Sequence, residues 1–183
     1  MREPGAAFLN VATPEQMQAL GRAIGEAIKS AEGPIVIALE GELGAGKTTL
    51  VSGILRVHGI SGPVRSPTYT LIEPYEAARS HQGKSYPGRS WQLYHLDLYR
   101  LVAPEEVEPL GIRDLLNASA VLLIEWPSRA AGALPAFDLE IRIDYPSAAE
   151  TGRQVGCIPH SPAGQRLVQR VVAAIPEFLP LSS

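Results

Sequence analysis

Three glycines, one lysine and two threonines fall within ten residues, GELGAGKTTL at 41–50, directly behind the apolar run IVIALE. Gly41, Gly46, Lys47 and Thr48 fit the spacing G-x-x-x-x-G-K-[ST] between a strand-like run and a helix-like run, the context this pattern requires. A phosphate chain carries several negative charges and is best met by backbone N–H groups at a helix N-terminus, where the partial positive charge of the helix adds to them. Glycine at 44 and 46 keeps side chains out of that approach and permits the loop's dihedrals. Lys47 then supplies a point charge for the β- and γ-phosphates, and the Thr48 hydroxyl a ligand for Mg²⁺. Leu43, Gly44, Ala45, Gly46, Lys47, Thr48 and Thr49 form the candidate nucleotide cradle. The chain lacks the N/T-K-x-D segment with which guanine-specific switches read their base, since its lysines stand only at 29, 47 and 84, and ATP is favoured over GTP.

Such a site needs an acidic group at the end of a neighbouring strand to hold magnesium. Glu125 ends the apolar run AVLLIE and is assigned to the metal; Asp97, in the more amphipathic YHLDLYR, is assigned to water positioning or switching. For each carboxylate the alternative is a surface ion pair. RSPTYT at 65–70 offers hydroxyls able to close over a γ-phosphate, with Thr68 the switch candidate and an ST-turn beside Pro67 the alternative. Arg100 is either a source of positive charge for phosphoryl transfer or one half of an ordinary ion pair. Trp126 either walls the nucleotide site or packs in the core. His58 and His95 have no neighbour at metal-ligand spacing and read as a helix-end and a strand histidine.

The elements that must position these residues follow from periodicity. Thr13 to Gln16 reads as a capping box with Pro14 in the first helical position, followed by Met17, Leu20, Ile24 and Ile28 at helical spacing. IVIALE and AVLLIEW read as strands covered on both faces, and GKTTLVSGILRVHG as a helix closed near Gly59. YTLIEPY and QLYHLDLY alternate as hairpin partners, and residues 77–90 between them read as a mobile surface loop or a partner-contacting one. APEEVEPLG and IRDLLN read as short helices, LEIRIDY and RQVGCI as strands, SPAGQRLVQRVVAAI as a last helix, and 176–183 as a tail. The pattern predicts one α/β domain over 1–183: a three-layer P-loop fold with a central, mostly parallel sheet and an antiparallel extension.

Composition narrows the function classes. A length of 183 residues suits one hydrophobic core. A formal charge of −3 argues against unaided grip on a nucleic-acid backbone. The single cysteine, Cys157, allows no internal disulfide and reads as a core thiol. No run approaches the roughly 18 apolar residues a membrane helix needs, and MREPGAAFLN lacks a signal peptide's apolar stretch, so the expectation is a cytoplasmic protein without a membrane partner.

In that order along the chain, GELGAGKTTL, SPTYTLIEPY, YHLDLYRL, EEVEPLGIRDLL and LIEWP resemble the bacterial TsaE (YjeE) family over most of residues 10–155. The resemblance implies a slow Mg²⁺-dependent ATPase of tRNA threonylcarbamoyladenosine biosynthesis, acting with TsaB and TsaD and meeting tRNA only through that complex. It also implies roles by position: Lys47 on phosphate, Thr48 and Glu125 on magnesium, Thr68 and Asp97 in switching and catalysis, and Thr13 near the nucleotide. The long connection after Tyr75 and the C-terminal tail depart from the family's pattern. Two other readings remain at this level: a small-molecule kinase, for which no arginine-rich lid is visible, and an assembly module that binds ATP without turnover.

Overall fold

Seven strands carry the structure: Ala7–Val11 (β1), Ile35–Gly41 (β2), Ile72–His81 (β3), Lys84–Asp97 (β4), Ala120–Glu125 (β5), Leu139–Asp144 (β6) and Arg153–Pro159 (β7). Three α-helices accompany them, Pro14–Ile28 (α1), Lys47–Val57 (α2) and Pro162–Ala174 (α3). This computed structural model describes residues 4–67, 69–81, 84–146 and 152–178. The strands form one sheet in the order β1-β7-β6-β2-β5-β4-β3. The four central strands, β6, β2, β5 and β4, run parallel, and β1, β7 and β3 extend the sheet antiparallel on both flanks.

The apolar patterning accounts for that order. Every residue of β5 and the first five of β2 are buried, as parallel strands covered on both faces require, whereas β6 alternates buried and accessible positions. One core lies between the sheet and α1, α2 and α3; the other lies under short 3₁₀ segments on the opposite face. Those segments, Pro104–Leu110 and Ile112–Leu115, correct the expectation of two further helices. Pro109 withholds an N–H inside the first, and Gly111 ends it in the left-handed region at φ 60°. The third layer is therefore thinner than the sequence suggests.

Two other expectations change. Residues 77–90, read as a loop, are largely strand: β3 runs to His81 and β4 begins at Lys84, while 82–83 lie outside the described residues. Pairing passes through Ala77↔Trp91 and Ala78↔Ser90 to a register shift before Ser80↔Ser85. An antiparallel ladder propagates on backbone hydrogen bonds, so a polar sequence joins it once core pairs have aligned the strands. The tail begins as a 3₁₀ turn, Pro176–Phe178, with Phe178 buried in the main core; residues 179–183 lie outside the described set.

Helix α1 starts where Thr13 Oγ1 accepts from the Gln16 N–H at 3.3 Å, while the Gln16 side chain accepts from Ala12 N–H. That cap contributes about 1 kcal/mol. Burial of Met17, Leu20, Ile24 and Ile28 contributes roughly 1.5–3 kcal/mol each, so packing fixes the helix and the cap sets where it begins. Against it lies α2, crossing so closely that a Cβ on Gly21 would stand 2.2 Å from the Leu50 carbonyl oxygen and one on Gly53 2.4 Å from that of Gln18. The contact seats the first turn of α1 beside the glycine loop.

His58, at the C-terminal end of α2, is buried edge-on to Trp91 with ring centroids 6.4 Å apart. Burial, helped by the Lys29 cation and opposed by Glu26 and a backbone bond to Gly25, lowers its pKa from 6.5 to about 4. Folding therefore favours the neutral ring. Its contribution is complete above pH 6.5 and is lost as pH falls toward 4, by about 3 kcal/mol in all at 1.36 kcal/mol per pH unit. Denaturant midpoints measured across this window should fall less steeply for His58→Leu than for the wild-type chain. Parallel curves would rule out His58 as the acid-sensitive group.

Candidate functional site

Gly46 stands immediately before α2 at φ 115°, a left-handed conformation that glycine adopts without strain, and a Cβ there would press on Met17 of α1 at 3.3 Å. Gly44, Gly46, Lys47, Thr48 and Thr49, at the head of α2 and in the loop before it, line a cleft. Lys47 follows, almost fully buried, its Nζ donating to the carbonyls of Gly41 at 2.6 Å and Glu42 at 3.0 Å. The ammonium also lies 3.9 Å from the centroid of the Trp126 ring. Burial lowers the Lys47 pKa, and the charges of Glu125, Glu40 and Asp97 oppose that shift. Trp126 wins its place by adopting a left-handed backbone, φ 59°, directly after β5. It is a wall of the site and only partly core.

The two carboxylates sit at the matched ends of neighbouring parallel strands, since Asp97 of β4 pairs with Glu125 of β5. Both are buried. Thr48 Oγ1 donates to Glu125 Oε1 at 2.9 Å, and Nε2 of His95 lies 2.8 Å from the same oxygen. Asp97 accepts from the Tyr99 N–H on Oδ1 at 3.0 Å and from the Ser66 hydroxyl on Oδ2. These contacts tie segment 65–67 to the end of β4. Thr68, the switch candidate, lies outside the described residues.

Two clefts meet at the head of α2. A cleft of about 320 Å³ is lined by Lys47, Thr48, Asp97, Glu125, Trp126 and Ser66, among others. A smaller one of about 140 Å³ is lined by Thr13, Pro14, Met17, Thr49 and Arg153. Gly44, Gly46 and Thr49 border both, so the two clefts lie on either side of the glycine loop's end. Leu43 stands exposed at the rim, and Ala45 is buried beneath the loop. Thr13 therefore does two jobs that coincide in space: it caps α1 and lines the smaller cleft.

Sequence reading missed four contributors. Arg153 of β7 donates from Nε to the Ala45 carbonyl at 3.2 Å and from Nη2 to that of Gly44 at 3.4 Å. Its guanidinium lies 4.0 Å from the centroid of the Tyr145 ring, whose hydroxyl donates to Leu43 O at 3.4 Å. These two side chains satisfy carbonyls on the outer side of the glycine loop. Ser66 and His95 are the others, joined to Asp97 and Glu125. Arg100 does not line the larger cleft; its guanidinium stacks over Tyr69 at 4.4 Å.

An oxygen-seeking divalent ion that keeps several waters fits the Thr48–Glu125 pair, because such ions take one or two protein oxygens where phosphates supply the rest. Among the described residues no group of three His, Cys, Asp or Glu side chains is placed to hold a metal unaided. No helix among them is long and apolar enough to cross a membrane.

A family model described as threonylcarbamoyl adenosine biosynthesis protein TsaE matches residues 11–155. The tRNA threonylcarbamoyladenosine biosynthesis protein TsaE of Haemophilus influenzae is 43% identical over 137 residues, covering 75% of this chain and 78% of that protein. Its counterpart of the same name in Bacillus subtilis is 35% identical over 130 residues, with 71% and 72% covered. The crystal structure of Bacillus subtilis YdiB is similar in fold, with a TM-score of 0.64 over 92% of this chain and 95% of that one at 24% identity. With the match spanning the glycine loop, both carboxylates and Arg153, the chain belongs to the TsaE family.

Proposed function

We propose that this protein is a P-loop ATPase of tRNA threonylcarbamoyladenosine biosynthesis, binding ATP with Mg²⁺ and hydrolysing it in concert with TsaB and TsaD. The observation that carries the reading is the Lys47 ammonium, held on its own loop's carbonyls at the head of α2 beside a Thr48–Glu125 pair. Family membership supplies the pathway.

The geometry supports the following roles. Loop amides and Lys47 hold the phosphates, and the smaller cleft beside Thr13, Met17 and Arg153 takes the nucleoside. Thr48 and Glu125 would hold Mg²⁺, which would supply positive charge against the phosphates. Asp97 orients the attacking water once Ser66 yields its oxygen, which couples the 65–70 segment, Thr68 included, to the state of the γ-phosphate. Water attacks the γ-phosphorus, ADP leaves, and inorganic phosphate is the second product. Among the described residues neither a glutamine nor an arginine lines the larger cleft, which suits a turnover that is slow until a partner supplies order or charge.

The net charge of −3 suits a subunit that meets tRNA through its partners. Calorimetry should register ATP and ADP uptake that tightens with Mg²⁺. With γ-labelled ATP, label should emerge as free phosphate, faster when TsaB and TsaD are added. Absence of nucleotide uptake by folded protein would end the proposal; label on an organic acceptor would make the protein a kinase, and uptake without turnover in the full complex an assembly module.

A further inference from the structure

His95 is the most completely buried ionisable side chain at the site, with no exposed surface, yet it does not line either cleft. It comes from β4, where it pairs with Leu123 of β5, two residues before Glu125 and on the same sheet face. Nε2 lies 2.8 Å from Glu125 Oε1, while Nδ1 has no hydrogen-bond partner among the described residues. A neutral imidazole donates from one nitrogen and accepts at the other. A carboxylate only accepts, so the proton sits on Nε2 and Nδ1 is left as a bare buried acceptor. Burying an unsatisfied acceptor costs stability that leucine or phenylalanine at this position would not cost, and such an exception calls for a purpose other than packing.

We propose that His95 is a positioning residue for the metal site: its Nε2–H fixes the Glu125 carboxylate beside Thr48 and thereby sets the affinity for Mg²⁺ in the nucleotide complex. This rests on the Mg²⁺-ATP reading above. A glutamate at a strand end has three side-chain torsions to fix, and Thr48 alone leaves the carboxylate free to turn about one hydrogen bond. The second donor on the same oxygen, delivered from a neighbouring strand whose register is held by the sheet, removes that freedom. Donors behind metal ligands act in this way, and their loss typically costs about 10- to 100-fold in metal affinity.

The test compares ADP affinity with and without Mg²⁺ in the full chain. His95→Phe keeps the ring volume and removes the donor; His95→Gln returns an N–H near the Nε2 position; Glu125→Gln marks the full loss. The expected result is unchanged metal-free ADP affinity in His95→Phe and His95→Gln, a Mg²⁺-dependent gain reduced about 10- to 100-fold in His95→Phe, and recovery of most of it in His95→Gln. A full Mg²⁺ gain in His95→Phe, or His95→Gln as impaired as His95→Phe, overturns the assignment. Should His95→Phe not fold, nitrogen NMR of the wild-type imidazole decides, since the Nδ1–H tautomer would exclude donation to Glu125. Loss of metal-free ADP binding in the wild type would instead overturn the nucleotide reading.

Discussion

Lys47→Ala is expected to lower ATP turnover by at least about 100-fold, the scale set by removing one preorganised donor from a charged transition state. Nucleotide affinity should fall about 10- to 100-fold, as expected for one hydrogen-bonded charge worth roughly 1.5–3 kcal/mol. Fold stability should barely move. The alanine gives up two carbonyl contacts and the Trp126 ring, but it also relieves the burial of an ammonium that the surroundings already disfavour. Lys47→Arg should not rescue, because a planar fork cannot take the place of a compact point charge between two carbonyls. Radiolabelled hydrolysis and calorimetry check both figures. Turnover at the wild-type rate in Lys47→Ala would remove the lysine from the chemistry.

The second large effect is on stability. Gly21→Val should destabilise the protein by on the order of 3 kcal/mol, the upper part of the range for overpacking, because the new Cβ meets backbone rather than a yielding side chain. For a chain of this size that corresponds to roughly 6–12 °C in Tm. Nucleotide affinity should fall with it even below the transition, since α1 can accommodate the branch only by backing away from α2, taking Thr13 and Met17 off the smaller cleft. Calorimetric unfolding and ADP binding on the same samples test both halves. A Tm within 2 °C of wild type, roughly the shift of about 0.5–1 kcal/mol, would mean the helices part easily.

What could be read from the sequence was local. The cap at Thr13, the stripe from Met17 to Ile28, the strand-loop-helix around Gly46 and the burial of IVIALE and AVLLIE each depend on residues a few positions apart. Glu125 could be placed at a strand end because an apolar run stops there, and Asp97 at the end of a more amphipathic strand. His95 and Arg153 were not found, because their importance arises from strand neighbours far apart in the chain: β4 beside β5, and antiparallel β7 beside β6. Ser66 was read only as one hydroxyl of the 65–70 segment, and its bond to Asp97 appears only in the fold. The 3₁₀ segments failed for a different reason, since acids, a proline and a glycine exit also describe a true α-helix, and only Pro109 inside the turn tells them apart.

The chain contains two tryptophans, and the fold treats them oppositely. Trp91 is sealed in the interior, whereas Trp126 rests its ring against the Lys47 ammonium and 5.0 Å from the Tyr99 ring. On the ATP reading proposed above, a phosphate chain that drew the ammonium away would change the electric field across one indole and leave the other as an internal standard. The protein would then carry a built-in optical gauge of its own occupancy, readable in ultraviolet emission without any attached dye.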